Sequence, residues 1–159
     1  SQVSTEVSPG TWRLQYQNLA KVKAAGAEIF LRKDLGNSYF YLGYAYNQTI
    51  DQDSGQRLEN SPENSASAGF VSSLPAWKST LAAEFIYLGQ RLTRAGNYTS
   101  PYLLTNLNLR TEAFLNSEVN LKINNLFDIQ YADPASGEHT METIAQDGRT
   151  YFVKLSWRI

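Results

Sequence analysis

An all-β fold is predicted, built from about eight antiparallel, up-and-down strands of transmembrane β-barrel type. Three observations carry this expectation. The chain ends on an unbroken alternation of apolar and polar residues, the same period of two recurs almost throughout, and the connections between runs are alternately short and long. Side chains on a strand change faces at every step, so each alternating run describes a ribbon with one apolar and one wet side.

The runs follow in order. Trp12, Leu14 and Tyr16 alternate with Arg13, Gln15 and Gln17, and Ala25, Ala27, Ile29 and Leu31 alternate with Gly26, Glu28, Phe30 and Arg32. Phe40, Leu42, Tyr44 and Tyr46 form the next apolar row, followed by Ala66, Ala68, Phe70 and Leu74. Leu81, Ala83, Phe85 and Tyr87 oppose Ala82, Glu84, Ile86 and Leu88, a wet side less polar than its neighbours. Leu103, Thr105, Leu107 and Leu109 oppose Leu104, Asn106, Asn108 and Arg110, and Val119, Leu121 and Ile123 oppose Glu118, Asn120, Lys122 and Asn124. The last run sets Tyr151, Val153, Leu155, Trp157 and Ile159 against Phe152, Lys154, Ser156 and Arg158, with an aromatic near each end of its apolar row. Aromatics belong there on a strand that crosses both membrane interfaces.

The named apolar rows carry no charge. A Lys or Arg facing lipid near the bilayer centre costs about 2–4 kcal/mol, so this partition is what a lipid-facing surface requires. Short turns are expected at Gly36-Asn37, Pro75-Ala76 and Ala113 to Asn116, and long polar segments at Ile50 to Asn64, Arg94 to Thr99 and Gln130 to Gly148. Outer-membrane barrels have this asymmetry, with tight periplasmic turns and longer external loops. A soluble barrel would instead turn the apolar face inward around a ligand. The bulk of Trp12, Tyr16, Phe40, Tyr44, Tyr46, Phe70, Phe85, Tyr87, Tyr151 and Trp157 argues against that, because an eight-stranded barrel has room for a filled core or one small ligand only.

Composition agrees. A net charge of -1 over 159 residues offers no nucleic-acid surface, and the absence of cysteine excludes disulfide scaffolds and thiolate metal sites. Mean hydropathy is negative despite abundant aromatics, as when half of each strand faces water. No stretch has the length of a transmembrane helix, and the opening Ser1-Gln2-Val3-Ser4 is neither a signal peptide nor an initiator methionine, so the chain is expected to be processed or cut from something larger.

No catalytic constellation is visible. His139 is the only histidine and has no converging ligands beyond Glu138 and Asp133, so a solvated loop is the expectation and no metal site is assigned. The serines lack a triad setting, and Glu28, Glu84 and Glu118 read as a hydrated wall paired with Arg13, Arg32, Arg110 or Lys122. Tyr98, Tyr102 and Tyr131 in the loops are suited either to stacking on a ligand or to anchoring at the interface. Gly96, Gly137 and the pair Asp147-Gly148 read as turn formers, not phosphate cradles.

Two stretches resemble a known family. Asn125-Leu126-Phe127-Asp128, followed by Tyr131-Ala132-Asp133-Pro134, precedes the last run, which is entered through Gln146-Asp147-Gly148-Arg149-Thr150. This is similar to the C-terminal end of a TonB-dependent outer-membrane receptor. Gly26-Ala27-Glu28-Ile29-Phe30-Leu31, Tyr44-Ala45-Tyr46-Asn47 and Asn60-Ser61-Pro62 extend the resemblance over essentially the whole chain. It implies that residues 1–159 form the C-terminal part of a barrel of about 22 strands, whose plug domain is absent from this chain. It also implies that the terminal strand, Tyr151, Val153, Leu155, Trp157 and Ile159, is an assembly signal, although the family's usual last residue is Phe.

The function so implied is TonB-energised uptake of a scarce nutrient, a siderophore-iron or similar chelate, with no catalysis and no cofactor. The partners are outer-membrane lipid, the remaining barrel and plug, the TonB complex through that plug, and a small-molecule ligand. Asn120, Lys122 and Asn124 are the candidates to face the lumen. A complete small barrel with a structural or adhesive role, and a soluble ligand-binding barrel, are the alternatives.

Overall fold

The computed structural model describes residues 2–8, 11–16, 21–113 and 116–157, with side chains described from residue 21 onward. Eleven strands are present among them. The chain opens with an antiparallel hairpin of β1 (Gln2–Ser8) and β2 (Thr11–Tyr16), in which Gln2 stands opposite Tyr16. The sequence pattern foresaw β2 but not β1, whose Ser-rich run has too weak an apolar row. The Trp12, Leu14 and Tyr16 side chains lie outside the described ones.

Next come β3 (Val22–Leu35), β4 (Ser38–Asp51), β5 (Asn64–Leu74), β6 (Ser79–Leu88), β7 (Tyr102–Glu112) and β8 (Ser117–Asn124). A small hairpin of β9 (Ala132–Pro134) and β10 (Thr143–Ala145) follows, and then β11 (Thr150–Trp157). The hairpin went unseen in the sequence because three-residue strands carry no readable period. Seven strands form one antiparallel sheet in the order β11-β8-β7-β6-β5-β4-β3, each neighbour in sequence being a neighbour in space apart from the step over β9 and β10. The sheet is open: among the described residues β3 and β11 each pair along one side only.

Register keeps the apolar rows continuous across strands. Phe40, Phe70, Ala83, Leu107, Ile123 and Tyr151 stand in one line, and Leu31, Leu42, Ala68, Phe85 and Thr105 in the next. Slippage by one residue would move an entire strand's apolar set to the other face. The opposite face carries Arg32, Tyr41, Gly69, Glu84 and Asn106 in one row, and Thr80, Arg110, Asn120 and Lys154 in another. β3 runs further than its marked alternation, and these extensions put Lys23 and Lys33 on the apolar side. Both lie near strand ends, where a long amine can reach a polar boundary.

Tight turns collect at one end of the sheet. Gly36 takes φ 63 between β3 and β4; a 3-10 turn at Pro75–Trp77, closed by Lys78 at φ 47, joins β5 to β6; and the link from β7 to β8 contains Asn116 at φ 57. Ser73 N donates to Asn37 O at 2.8 Å and Glu112 N to Lys78 O at 3.0 Å, so adjacent turns are tied together. The long connections 52–63, 89–101 and 125–149 all lie at the other end.

Burial is inverted relative to a soluble protein. Phe40, Leu42, Phe70, Phe85, Leu121, Val153 and Trp157 are exposed, whereas Thr49, Arg91, Thr93, Thr99, Thr105 and Asn125 are buried. A contiguous apolar face of this extent is unstable against water and belongs against hydrocarbon. The aromatics thus do not meet in a sealed centre: Phe40 is 41%, Phe85 40% and Trp157 66% exposed.

Candidate functional site at the loop end

Two polar constructions occupy the loop end, and both are built from the turn chemistry of Asn, Asp and Thr. The first is the Asn125–Asp128 segment. Asn125 takes φ 51 and Asp128 φ 55, a left-handed conformation that Asn and Asp tolerate better than other side-chain-bearing residues. Asn125 is 3% exposed, and its side chain makes a reciprocal pair with Ile129: Nδ2 donates to Ile129 O and Oδ1 accepts Ile129 N–H, both at 2.9 Å. Its own N–H goes to Asn106 Oδ1 at 3.0 Å, while Leu126 N donates to Thr105 O at 2.8 Å, docking the turn on β7. Asp128 Oδ1 accepts the Arg149 N–H at 2.8 Å, and Arg149 Nη1 donates to Leu126 O at 3.3 Å, docking it on the entry to β11. Phe127 projects outward, 67% exposed.

The second construction centres on Arg91. Its guanidinium donates to Asn60 Oδ1 at 3.1 Å, to Ala132 O at 3.5 Å and to the Asp133 carboxylate, with which it is ion-paired. The guanidinium also stands 5.7 Å from the Tyr102 ring centre, and Tyr102 OH donates to Asp133 Oδ1 at 3.3 Å. Only 7% of the Arg91 side chain is exposed, so the charge is withdrawn from solvent and depends on these partners. The three long connections thereby meet in one residue. A neighbouring tie adds to this: Thr93 Oγ1 (2.5 Å) and Asn97 Nδ2 (2.9 Å) both donate to Glu142 Oε1, and these two bonds hold the Glu142 carboxyl below its ordinary range.

Beside Arg91 lies a cleft of about 500 Å³ lined by Tyr98, Tyr102, Tyr131, Ile129, Gln130 and Thr143, among others. The Tyr102 and Tyr131 rings are 4.5 Å apart and tilted by 48°. The Tyr131 phenol is pushed up by burial first and then by the negative charges of Asp133 and Asp147, so it stays neutral and able to donate. Aromatic faces, an amide and hydroxyls around one cleft suit a planar, polar small molecule. A larger hollow of about 770 Å³ opens at the turn end, but its charges are already paired as Lys78–Glu112 (3.6 Å) and Arg110–Glu118 (2.5 Å).

The residues singled out in the sequence are distributed as follows. Asn125, Leu126, Phe127 and Asp128 form the turn just described. Asn120, Lys122 and Asn124 share the polar face of β8: Asn120 Oδ1 accepts from Asn108 Nδ2 at 2.9 Å, Asn124 Nδ2 donates to Thr150 Oγ1 at 3.3 Å, and Lys122 stands between Asn108 and Phe152. Tyr151, Val153, Leu155 and Trp157 share the exposed apolar face of β11, and Ile159 lies outside the described residues.

Of the expected carboxylate pairs, Glu118 meets Arg110, but Glu84 is held by Tyr41 OH (3.4 Å) and Asn106 Nδ2 (3.0 Å) instead of an arginine. Arg32 pairs with Asp34 at 3.0 Å. Gly96 takes a positive φ of 87; Gly137 sits without one in a turn closed by His139 N to Ser136 O at 3.1 Å, and Gly148 serves by permitting close approach. A Cβ on Gly148 would lie 2.5 Å from Asp128 Oδ1, and one on Gly137 2.2 Å from Arg94 Nη1. Arg91 and Thr93 escaped the sequence reading altogether, since a single Arg in a polar loop gives no hint of burial. Among the described residues no cluster of metal-ligating side chains occurs, and no helix is long and apolar enough to cross a membrane.

An antiparallel up-and-down sheet with an apolar outer face, a charged inner face, tight turns at one end and long loops at the other defines a wall of an outer-membrane β-barrel. A family model described as TonB dependent receptor-like, beta-barrel matches residues 1–126, and the chain belongs to that family. Its place is accordingly the bacterial outer membrane.

Solved structures agree on the fold. The copper transporter OprC matches with a TM-score of 0.73 at 18% identity, over 97% of this chain and 26% of that one. FpvA of P. aeruginosa, solved with heterologous pyoverdines, matches with a TM-score of 0.71 at 16% identity, over 99% of this chain and 23% of that one. The ferric-catecholate import receptor Fiu of E. coli K12 matches with a TM-score of 0.70 at 18% identity, over 96% and 22%. The chain thus spans about a quarter of the length of these structures. No curated protein matches the sequence.

Proposed function

We propose that the full-length protein is a TonB-energised receptor that imports a small metal chelate, a ferric siderophore foremost, and that residues 1–159 form the C-terminal part of its barrel. The remaining strands and a plug would come from the rest of that protein, and TonB would act through the plug. The observation that carries this reading is the aromatic cleft at the loop end, positioned by a buried arginine, on a sheet whose family is that of TonB-dependent receptors. Tyr98, Tyr102 and Tyr131 would offer π-faces and hydroxyls to one side of a chelate, and the charged face with Asn120, Lys122 and Asn124 would line the bore. No step of covalent chemistry is required.

Among the described residues β3 and β11 each leave one edge unpaired, which speaks against a small barrel closed by these strands alone, since unpaired backbone groups are not tolerated in hydrocarbon. The exposed apolar face speaks against a soluble barrel.

Uptake assays on cells expressing the full-length protein test the proposal, using ferric tris-catecholate, ferric hydroxamate and Cu(II) as probes. Energy-dependent accumulation of one probe that vanishes without TonB is the expected result. Equal accumulation with and without TonB for every probe would refute it. Tyr102→Ala and Tyr131→Ala are expected to weaken binding of the imported probe by about tenfold each, as loss of a stacking face does.

A further inference from the structure

The β8–β11 pairing poses a problem that the tightly turned neighbours of the sheet do not, and it is joined through the longest of the three long connections. β3 and β4 are joined through Gly36-Asn37, and a two-residue loop fixes register by its own geometry. β8 and β11 are joined through residues 125–149, and a long excursion fixes nothing. Register still matters here: a one-residue slip would turn Lys154 and Ser156 toward hydrocarbon.

We propose that the Asn125–Asp128 turn is a register clamp that sets β11 against β8 during barrel assembly. Each contact needed for this is present. On one side the turn is fastened to β7, through Asn125 N to Asn106 Oδ1 (3.0 Å) and Leu126 N to Thr105 O (2.8 Å). On the other side Asp128 Oδ1 takes the Arg149 N–H (2.8 Å), and Arg149 Nη1 returns to Leu126 O (3.3 Å). These bonds fall on the residue just before Thr150, the first of β11, which stands opposite Asn124, the last of β8.

Gly148 allows the approach, because a side chain there would occupy the position of the Asp128 carboxylate. Asn124 Nδ2 to Thr150 Oγ1 (3.3 Å) adds a side-chain bond within the first strand pair. Further out, Gln146 N bonds Tyr131 O at 3.0 Å and β9 pairs with β10, so the excursion is closed in tiers from its base. Asp128 acts as a positioning residue: its carboxylate holds the backbone N–H of Arg149.

The test uses the full-length protein in outer-membrane fractions. The 159 residues contain no cysteine, so introduced thiols in this segment are unambiguous. Lys122→Cys with Phe152→Cys reports the native register, and Lys122→Cys with Val153→Cys, which face opposite sides in that register, reports a one-residue slip, each read with a short thiol cross-linker. Adding Asp128→Ala is expected to shift the native-to-slipped ratio by about tenfold, the factor carried by one hydrogen bond to a charged group. Gly148→Ala should act alike. Asp128→Asn, which keeps an acceptor oxygen in place, should restore the native ratio.

If Asp128→Ala lowers the amount of folded barrel but leaves the cross-link ratio unchanged in what remains, the residue is merely stabilising and the proposal fails. It fails equally if register and yield are unchanged and only uptake falls, which would move Asp128 to the transport path.

Discussion

The sheet and the loop layer of this chain are held together by opposite means. In the sheet, cohesion comes first from the backbone ladder, and on the apolar face side chains only choose a side; Leu107 sits between Ala83 and Ile123 and has no specific bond to make, whereas the polar face adds pairs such as Asn108–Asn120 and Arg110–Glu118. In the loop layer there is almost no ladder, and cohesion comes from buried side-chain polar groups, Arg91, Thr93 and Asn125 among them. A ladder tolerates any residue that suits its solvent, so the sheet's constraint is a pattern. A polar tie tolerates only the residue that completes it, so the loop layer's constraint lies in individual identities.

Breaking the sheet by solvent mismatch gives the largest expected effect. Leu107→Arg, at the middle of β7 on the apolar face, should destabilise the barrel by about 2–4 kcal/mol in denaturant titrations of the protein refolded into lipid bilayers. Asn108→Arg, one residue away on the polar face, should cost no more than about 1 kcal/mol, the bond it gives up to Asn120 Oδ1. Equal losses for both would dissolve the assignment of faces.

The loop layer breaks differently. Asp133→Ala leaves the buried Arg91 guanidinium without its counter-charge and should cost about 2 kcal/mol of local stability, read as faster protease nicking of the loops on intact cells with the sheet unaffected. A drop in global unfolding midpoint of the same size would mean that the two regions are one cooperative unit.

Asn125→Gly isolates a smaller quantity. Glycine keeps φ 51 without strain but forfeits the reciprocal pair with Ile129, for an expected loss of about 1 kcal/mol; Asn125→Ala should lose more, because a left-handed conformation costs Ala about another 1 kcal/mol. Hydrogen exchange at the Ile129 amide would rank them.

The smallest effect is that of pH. The Glu142 carboxyl is held below its ordinary 4.5 by the bonds from Thr93 and Asn97, so its contribution is complete above that value and is lost as pH falls through the lower, folded value. Nicking between residues 93 and 142 should therefore rise only in acid below 4.5, and Glu142→Gln should abolish that dependence.

What was legible follows the same division. Rows such as Phe40–Phe70–Ala83–Leu107 were readable because a period of two survives in one dimension. The hairpin of β9 and β10 was not, because three residues hold no period. Asn125 and Asp128 were recognisable as a motif, whereas their work, holding the start of a strand more than twenty residues later, depends on a fold that brings Arg149 beside them. Arg91 gave no signal, since its burial is created by Asn60, Tyr102 and Asp133, which are remote in sequence. Gly69 was not singled out in the sequence: the Tyr41 ring lies across it, so close that a Cβ would collide with a ring carbon, and the aromatic covers the gap that a glycine leaves in a sheet.

Because one guanidinium gathers all three long connections, those connections form a cassette. Transplanting a single loop from another receptor would strand either the cation or its counter-ion, whichever was left behind. New recognition properties would have to be exchanged as a set, with residues 52–63, 89–101 and 125–149 travelling together, or else the recipient position at Arg91 would first have to be neutralised.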